Sequence, residues 1–166
     1  MKNPIIRNGV YSGILMLALF VIAYFIGGDF GMQEIIGHLS ILISLVFVFL
    51  GIKQYRDEVG DGNISFGKAV QVGLLIALIP SIVFGLYNLF YIEFIDPNFI
   101  ENYYADILAQ QKATLSAEEF KIKAVEIEEE KASFGSPIVQ FGAMASTVFL
   151  MGVVVSIISS FILKKD

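Results

Sequence analysis

The densest group of chemically capable side chains lies in residues 51–70, GIKQYRDEVGDGNISFGKAV, with five acids and bases in its first eleven positions. Two chemistries can be asked of it. Asp57, Glu58 and Asp61 are oxygen donors suited to a hard cation, but the D-x-D-x-D-G spacing of a calcium loop is not met and no Glu closes it. Gly62 to Lys68 satisfies G-x-x-x-x-G-K, the pattern in which backbone N–H groups and a lysine cradle phosphates. Ala69, however, stands where the Mg²⁺-binding hydroxyl belongs, no strand precedes the glycines, and an apolar span follows. A nucleotide site is therefore not expected. The plainer explanation is a charged turn whose Lys53, Arg56 and Lys68 sit at headgroup level as orientation anchors. Orientation leaves Tyr55, Asp57 and Ser65-Phe66-Gly67 without a task. The candidate functional or interaction surface is accordingly Lys53, Tyr55, Arg56, Asp57, Ser65, Phe66, Gly67 and Lys68.

Elsewhere the chemistry is sparse. The absence of cysteine excludes a disulfide framework, a thiolate metal site and a cysteine nucleophile. One histidine, His38, cannot build a His-rich metal set within a single chain. The acidic run Glu126, Glu128, Glu129 and Glu130 fans around a helix axis, which suits a solvated face better than a turning calcium loop. No nucleophile–base pair is readable. No catalytic residue, cofactor or metal is expected, and the chain is read as a non-enzyme.

The elements that position these residues follow from hydropathy. At 166 residues the chain suits one domain, and its 56% hydrophobic content exceeds the roughly 45–50% of soluble domains. The mean hydropathy is +0.74. The excess is concentrated in four blocks at about 10–26, 35–52, 69–91 and 138–163. Crossing roughly 30 Å of hydrocarbon takes about 20 apolar residues in a helix, the form that satisfies its own backbone groups in lipid. The expected fold is an all-α integral membrane protein of four transmembrane helices forming a single domain. The first block is taken as a span and not a cleaved signal, because it exceeds a usual signal core and ends in bulky Tyr24 and Phe25.

Orientation follows the basic residues. Lys2 and Arg7 precede the first span, Lys53, Arg56 and Lys68 lie between the second and third, and Lys164 and Lys165 follow the fourth. Positive charge favours the cytoplasmic side, which places both termini and the 53–68 loop inside. Residues 93–136 are then extracytoplasmic and hold four Lys against ten Asp and Glu. Asp96-Pro97 reads as one helix start there, and Ser116-Ala117-Glu118-Glu119 as a capping box opening another. A helical hairpin is expected, in which helical spacing groups many of Phe99, Ile100, Tyr103, Tyr104, Ile107, Leu108, Leu115, Phe120, Val125 and Ile127 on one side, buried against itself or the helix ends.

Within the spans, His38, Gln71, Asn88 and Gln140 sit near helix ends, and no charged residue reaches mid-bilayer depth. That argues against an ion-coupled carrier. Gly9-x-x-x-Gly13 opens the first span, and a small-residue stripe of Gly142, Ser146, Gly152, Ser156 and Ser160 runs down the fourth as a helix-packing surface. Pro80 predicts a kink in the third.

Two further pieces, FLGIKQYRDEVGDGNISFGKAV and YNLFYIEFIDPNF, give the chain a family likeness. It resembles a family of small four-helix bacterial membrane proteins, common in Bacteroidetes and known as a domain of unknown function. Gly51, Ile52, Lys53, Tyr55, Arg56, Asp57 and Ile64 through Ala69 carry the resemblance. It implies four spans in a bacterial inner membrane and no particular activity. The expected role is an accessory or assembly subunit of a cell-envelope complex; the alternative is a small oligomeric channel or transporter using Gln71, Asn88 and Gln140. Expected partners are membrane lipids and either self-association or another membrane or envelope protein, with no nucleic acid.

Overall fold

The computed structural model describes residues 3–165. Lys2, counted toward the orientation, lies outside the described residues. The helices are α1 (Pro4–Ile26), α2 (Phe30–Ser44), α3 (Val46–Glu58), α4 (Phe66–Phe90), α5 (Phe99–Thr114), α6 (Ala117–Phe134) and α7 (Pro137–Leu163), with a π-helical turn at Tyr91–Ile95 after α4. Four helical runs are long and apolar enough to cross a membrane: Pro4–Ile26, Phe30–Glu58, Phe66–Ile95 and Pro137–Leu163. All four outrun their apolar blocks, the last by a single residue. At α1 the Asn3 side chain accepts from the Ile5 N–H and Pro4 takes the first turn, so the helix begins six residues before the block.

The second run carries an interruption that no sequence pattern announces. Its regular bonding stops at Leu45, where α2 gives way to α3 and Val48 N–H turns back to the Leu45 carbonyl at 2.9 Å. The cause lies in hydroxyls competing for carbonyls: Ser12 Oγ donates to the Ser44 carbonyl at 2.8 Å, and Ser44 Oγ to that of Ile41 at 2.7 Å. In α4, by contrast, the helical run continues on both sides of Pro80.

The chain forms two compact units. The first comprises the described residues up to Phe84 and from Met144 onward. Here α1 packs against α2 and α3. Met16, Leu45, Val48, Ile52, Val72, Ile76 and Val148 are fully buried among these helices. Large side chains such as Ile14, Leu42, Leu150 and Ile162 stay exposed, as expected of helices that face lipid tails. Small residues set the close approaches. A Cβ at Gly9 would strike Ile79, and one at Gly152 would stand 2.5 Å from the Ala77 Cβ.

The second unit is Gly85–Ala143. Its α5 and α6 form a hairpin joined by Leu115 and Ser116. The capping box is present, with Glu119 N–H on Ser116 Oγ and Ser116 N–H on the Glu119 carboxylate. Tyr104 and Ile127 are buried between the helices. Lys131 Nζ meets Glu101 at 2.6 Å, and Tyr104 Oη donates to Glu130 at 3.3 Å. One expectation changes here. The first helix starts at Phe99 and not at Pro97, because the Asp96 carboxylate and carbonyl are taken by the Asn98 and Phe99 N–H groups in a preceding turn. Val125 is 58% exposed, since two residues' separation from Ile127 turns it roughly 200° around the helix.

Candidate functional site

The 51–70 stretch gathers residues from three parts of the chain. On α3 the spacing Gly51, Gln54, Glu58 aims one face at α1. Gly51 is flush with Asn8 and Ile76. Gln54 Oε1 accepts from Asn8 Nδ2 and Arg7 Nη2, both at 2.7 Å, and Arg7 also pairs with Glu58 at 3.0 Å. Asn8 is 1% exposed and donates as well to the Pro4 carbonyl, which satisfies both its amide protons. Sequence reading passed over Asn8 and Gln54, and weighed Glu58 only as a cation ligand and not as the partner of Arg7. The i, i+4 spacing of Gln54 and Glu58, one turn beyond a glycine, was the available signal.

α3 ends in a turn with Asp61 at φ 50° and Gly62 at φ 87°, as the Gly-Asp-Gly-Asn run predicts. The chain then extends, and Ile64 exchanges both backbone hydrogen bonds with Lys165 beyond α7, at 2.9 and 3.0 Å. Arg56 Nη1 reaches the Leu163 carbonyl at 3.4 Å. The Phe66 and Phe161 rings meet at a tilt, their centres 4.6 Å apart. The segment Leu163–Lys165, at and beyond the end of α7, is thus fastened to the loop, a contact that no local pattern announces.

The candidate residues fall around this fastening. Arg56 Nε holds Asp57 at 2.7 Å. That hydrogen bond, helped by the charges of Arg56, Lys53 and Lys165, keeps the Asp57 carboxyl below its ordinary range. Lys68 Nζ lies 5.7 Å from the centre of the Tyr55 ring and donates to Gln71 Oε1 at 3.1 Å. Tyr55, Ser65, Lys68 and Lys165 line a shallow open depression of about 380 Å³. Gly67 faces open space. Lys53 is exposed on α3 and takes no part in the depression. Among the described residues, no carboxylate pairs with Lys53, Lys68, Lys164 or Lys165.

The small-residue stripe divides. Gly152, Ser156 and Ser160 are buried, with Gly73 packed on Ser156. A Cβ at Gly142 would touch nothing within 4 Å, and Ser146 is exposed. The polar span residues are largely engaged locally. His38 Nδ1 lies 2.9 Å from the Glu34 carbonyl, and Gln140 Nε2 donates to the Phe134 carbonyl. Asn88 Oδ1 is buried without a partner. Among the described residues, no three His, Asp or Glu side chains gather in a metal-binding group.

A family model described as "Protein of unknown function (DUF4199)" matches residues 7–165. The chain belongs to that family, and the likeness drawn from the GIKQYRD and ISFGKA pieces holds at the level of a domain of unknown function. No curated protein and no solved structure matches it.

Proposed function

We propose that this member of the family is a non-enzymatic accessory or assembly subunit of a cell-envelope complex in a bacterial cytoplasmic membrane. Both termini and the 53–68 loop face the cytoplasm, and residues 93–136 face outward. One observation carries the reading. Ile122 and Val125 are 66% and 58% exposed on α6, whose six glutamates keep it out of lipid. An apolar strip on a water-facing helix has protein as its natural cover. The open face at Gly142 and Ser146 supports the same reading, as small residues let a second helix approach closely.

Capture of the tagged chain from native membranes in mild detergent recovers a defined partner in fixed ratio, and Ile122→Glu with Val125→Glu releases it. A solitary monomer in every detergent overturns the proposal. A second reading, a small oligomeric channel, keeps one favourable observation, the unpartnered Asn88 carbonyl oxygen. Liposome flux lost in Asn88→Leu supports it; the same flux in both proteins removes it.

A further inference from the structure

We infer that the depression beside the Ile64–Lys165 bridge is a binding site for the headgroup of an anionic phospholipid, its phosphate held by Lys68 and Lys165. The inference rests on the membrane placement of the four apolar helical runs and not on the accessory role.

The charge arrangement comes first. Lys68 and Lys165 are 97 positions apart in sequence, and both line the depression because two backbone hydrogen bonds tie Lys165 to Ile64. Neither has a carboxylate partner among the described residues. Asp57, whose carboxyl feels the charge of Lys165, is held by Arg56. The hydroxyl of Ser65 makes no hydrogen bond among the described residues and lines the same depression. Lys68 donates one N–H to Gln71 and keeps two, so two ammonium groups without a carboxylate and an unbonded hydroxyl surround an open hollow. They suit a singly charged phosphodiester, which offers several acceptor oxygens.

The surroundings select a lipid over a soluble anion. Just upstream of Lys164 and Lys165, beyond the buried Leu163, come Phe161 and Ile162, 60% and 66% exposed, with Ile158 at 55% one turn back. Lys164 Nζ lies 5.9 Å from the centre of the Phe161 ring, so cation and apolar surface adjoin. A headgroup in the hollow therefore continues into acyl chains along the outer face of α7. The hollow is too shallow to enclose a small molecule, whose sites commonly bury most of the ligand. A headgroup needs no enclosure, because its tails remain in the bilayer.

The test is native mass spectrometry of the full chain from detergent, titrated with phosphatidylglycerol or phosphatidylcholine. Phosphatidylglycerol is retained preferentially, and Lys68→Gln with Lys165→Gln reduces that preference by roughly thirtyfold, from about 1 kcal/mol per lysine at an anionic surface. Lys68→Arg with Lys165→Arg keeps the preference, which separates lost charge from lost fold. Lys121→Gln with Lys123→Gln on α6 also keeps it. Equal retention of the two lipids, or full preference in the double Gln variant, overturns the inference. So does displacement of the bound lipid by millimolar inorganic phosphate, which would assign the hollow to a soluble anion.

Discussion

At the scale of single residues, the buried amide of Asn8 is the most demanding group in the first unit. Its protons are divided between the Pro4 carbonyl and Gln54. Gln54→Ala leaves one of them without an acceptor, and a stranded buried donor costs about 1–3 kcal/mol. The expected outcome is a clear fall in the thermal midpoint in detergent, restored by Gln54→Glu, which keeps an acceptor. Tyr104 makes a pH prediction. Burial first, and then Glu130, pushes its hydroxyl up from 10.0 to about 12. A group that holds its proton more tightly when folded adds stability that is complete below pH 10.0 and lost as pH rises toward 12. The helical signal of the hairpin should weaken across that window in the native chain, and Tyr104→Phe should flatten the dependence.

At the scale of elements, the α7 stripe predicts unequal tolerance. Gly152→Leu drives a side chain into Ala77 and should destabilise the bundle by about 1–3 kcal/mol. Gly142→Leu meets open space and should leave the melting curve of the monomer unchanged. In the hairpin, Ser116→Ala removes the α6 cap and should cost about 1 kcal/mol. The same bonds from Ser116 hold the Glu119 carboxyl below 4.5. A carboxyl that releases its proton more readily when folded loses its contribution as pH falls through that lowered value, so the difference between Ser116→Ala and the native chain should narrow in acid. These elements also show what sequence reading could see. The spans were legible because length and apolarity are local properties, and the capping box because its four residues are contiguous. The break at Leu45 was not, since it depends on a hydroxyl 32 residues away at Ser12. Which apolar residues of the hairpin lie off its buried face, as Val125 does, was left open by a loose grouping of positions.

At the scale of the whole molecule, the chain's lack of cysteine makes orientation directly measurable. Asp61→Cys in the 53–68 loop and Glu128→Cys on α6 should react oppositely with a membrane-impermeant maleimide in intact cells: Glu128→Cys labelled, Asp61→Cys labelled only after lysis. The reverse pattern, or equal labelling, would reject the proposed topology. The candidate surface was legible in part. The loop was marked by charge set between apolar runs, yet its partners at Leu163 and Lys165 come from the far end of the sequence.

That distant pairing also has a meaning in time. Ile64 leaves the ribosome about a hundred residues before Lys165, and domains take shape as the chain emerges. Through the synthesis of α4, the hairpin and α7, the backbone groups of Ile64 can bond only to water. The antiparallel bridge therefore forms only after α7 has been made. The Lys165–Ile64 pairing then reports that synthesis has passed the fourth span, because a nascent chain stalled anywhere inside α7 cannot form it.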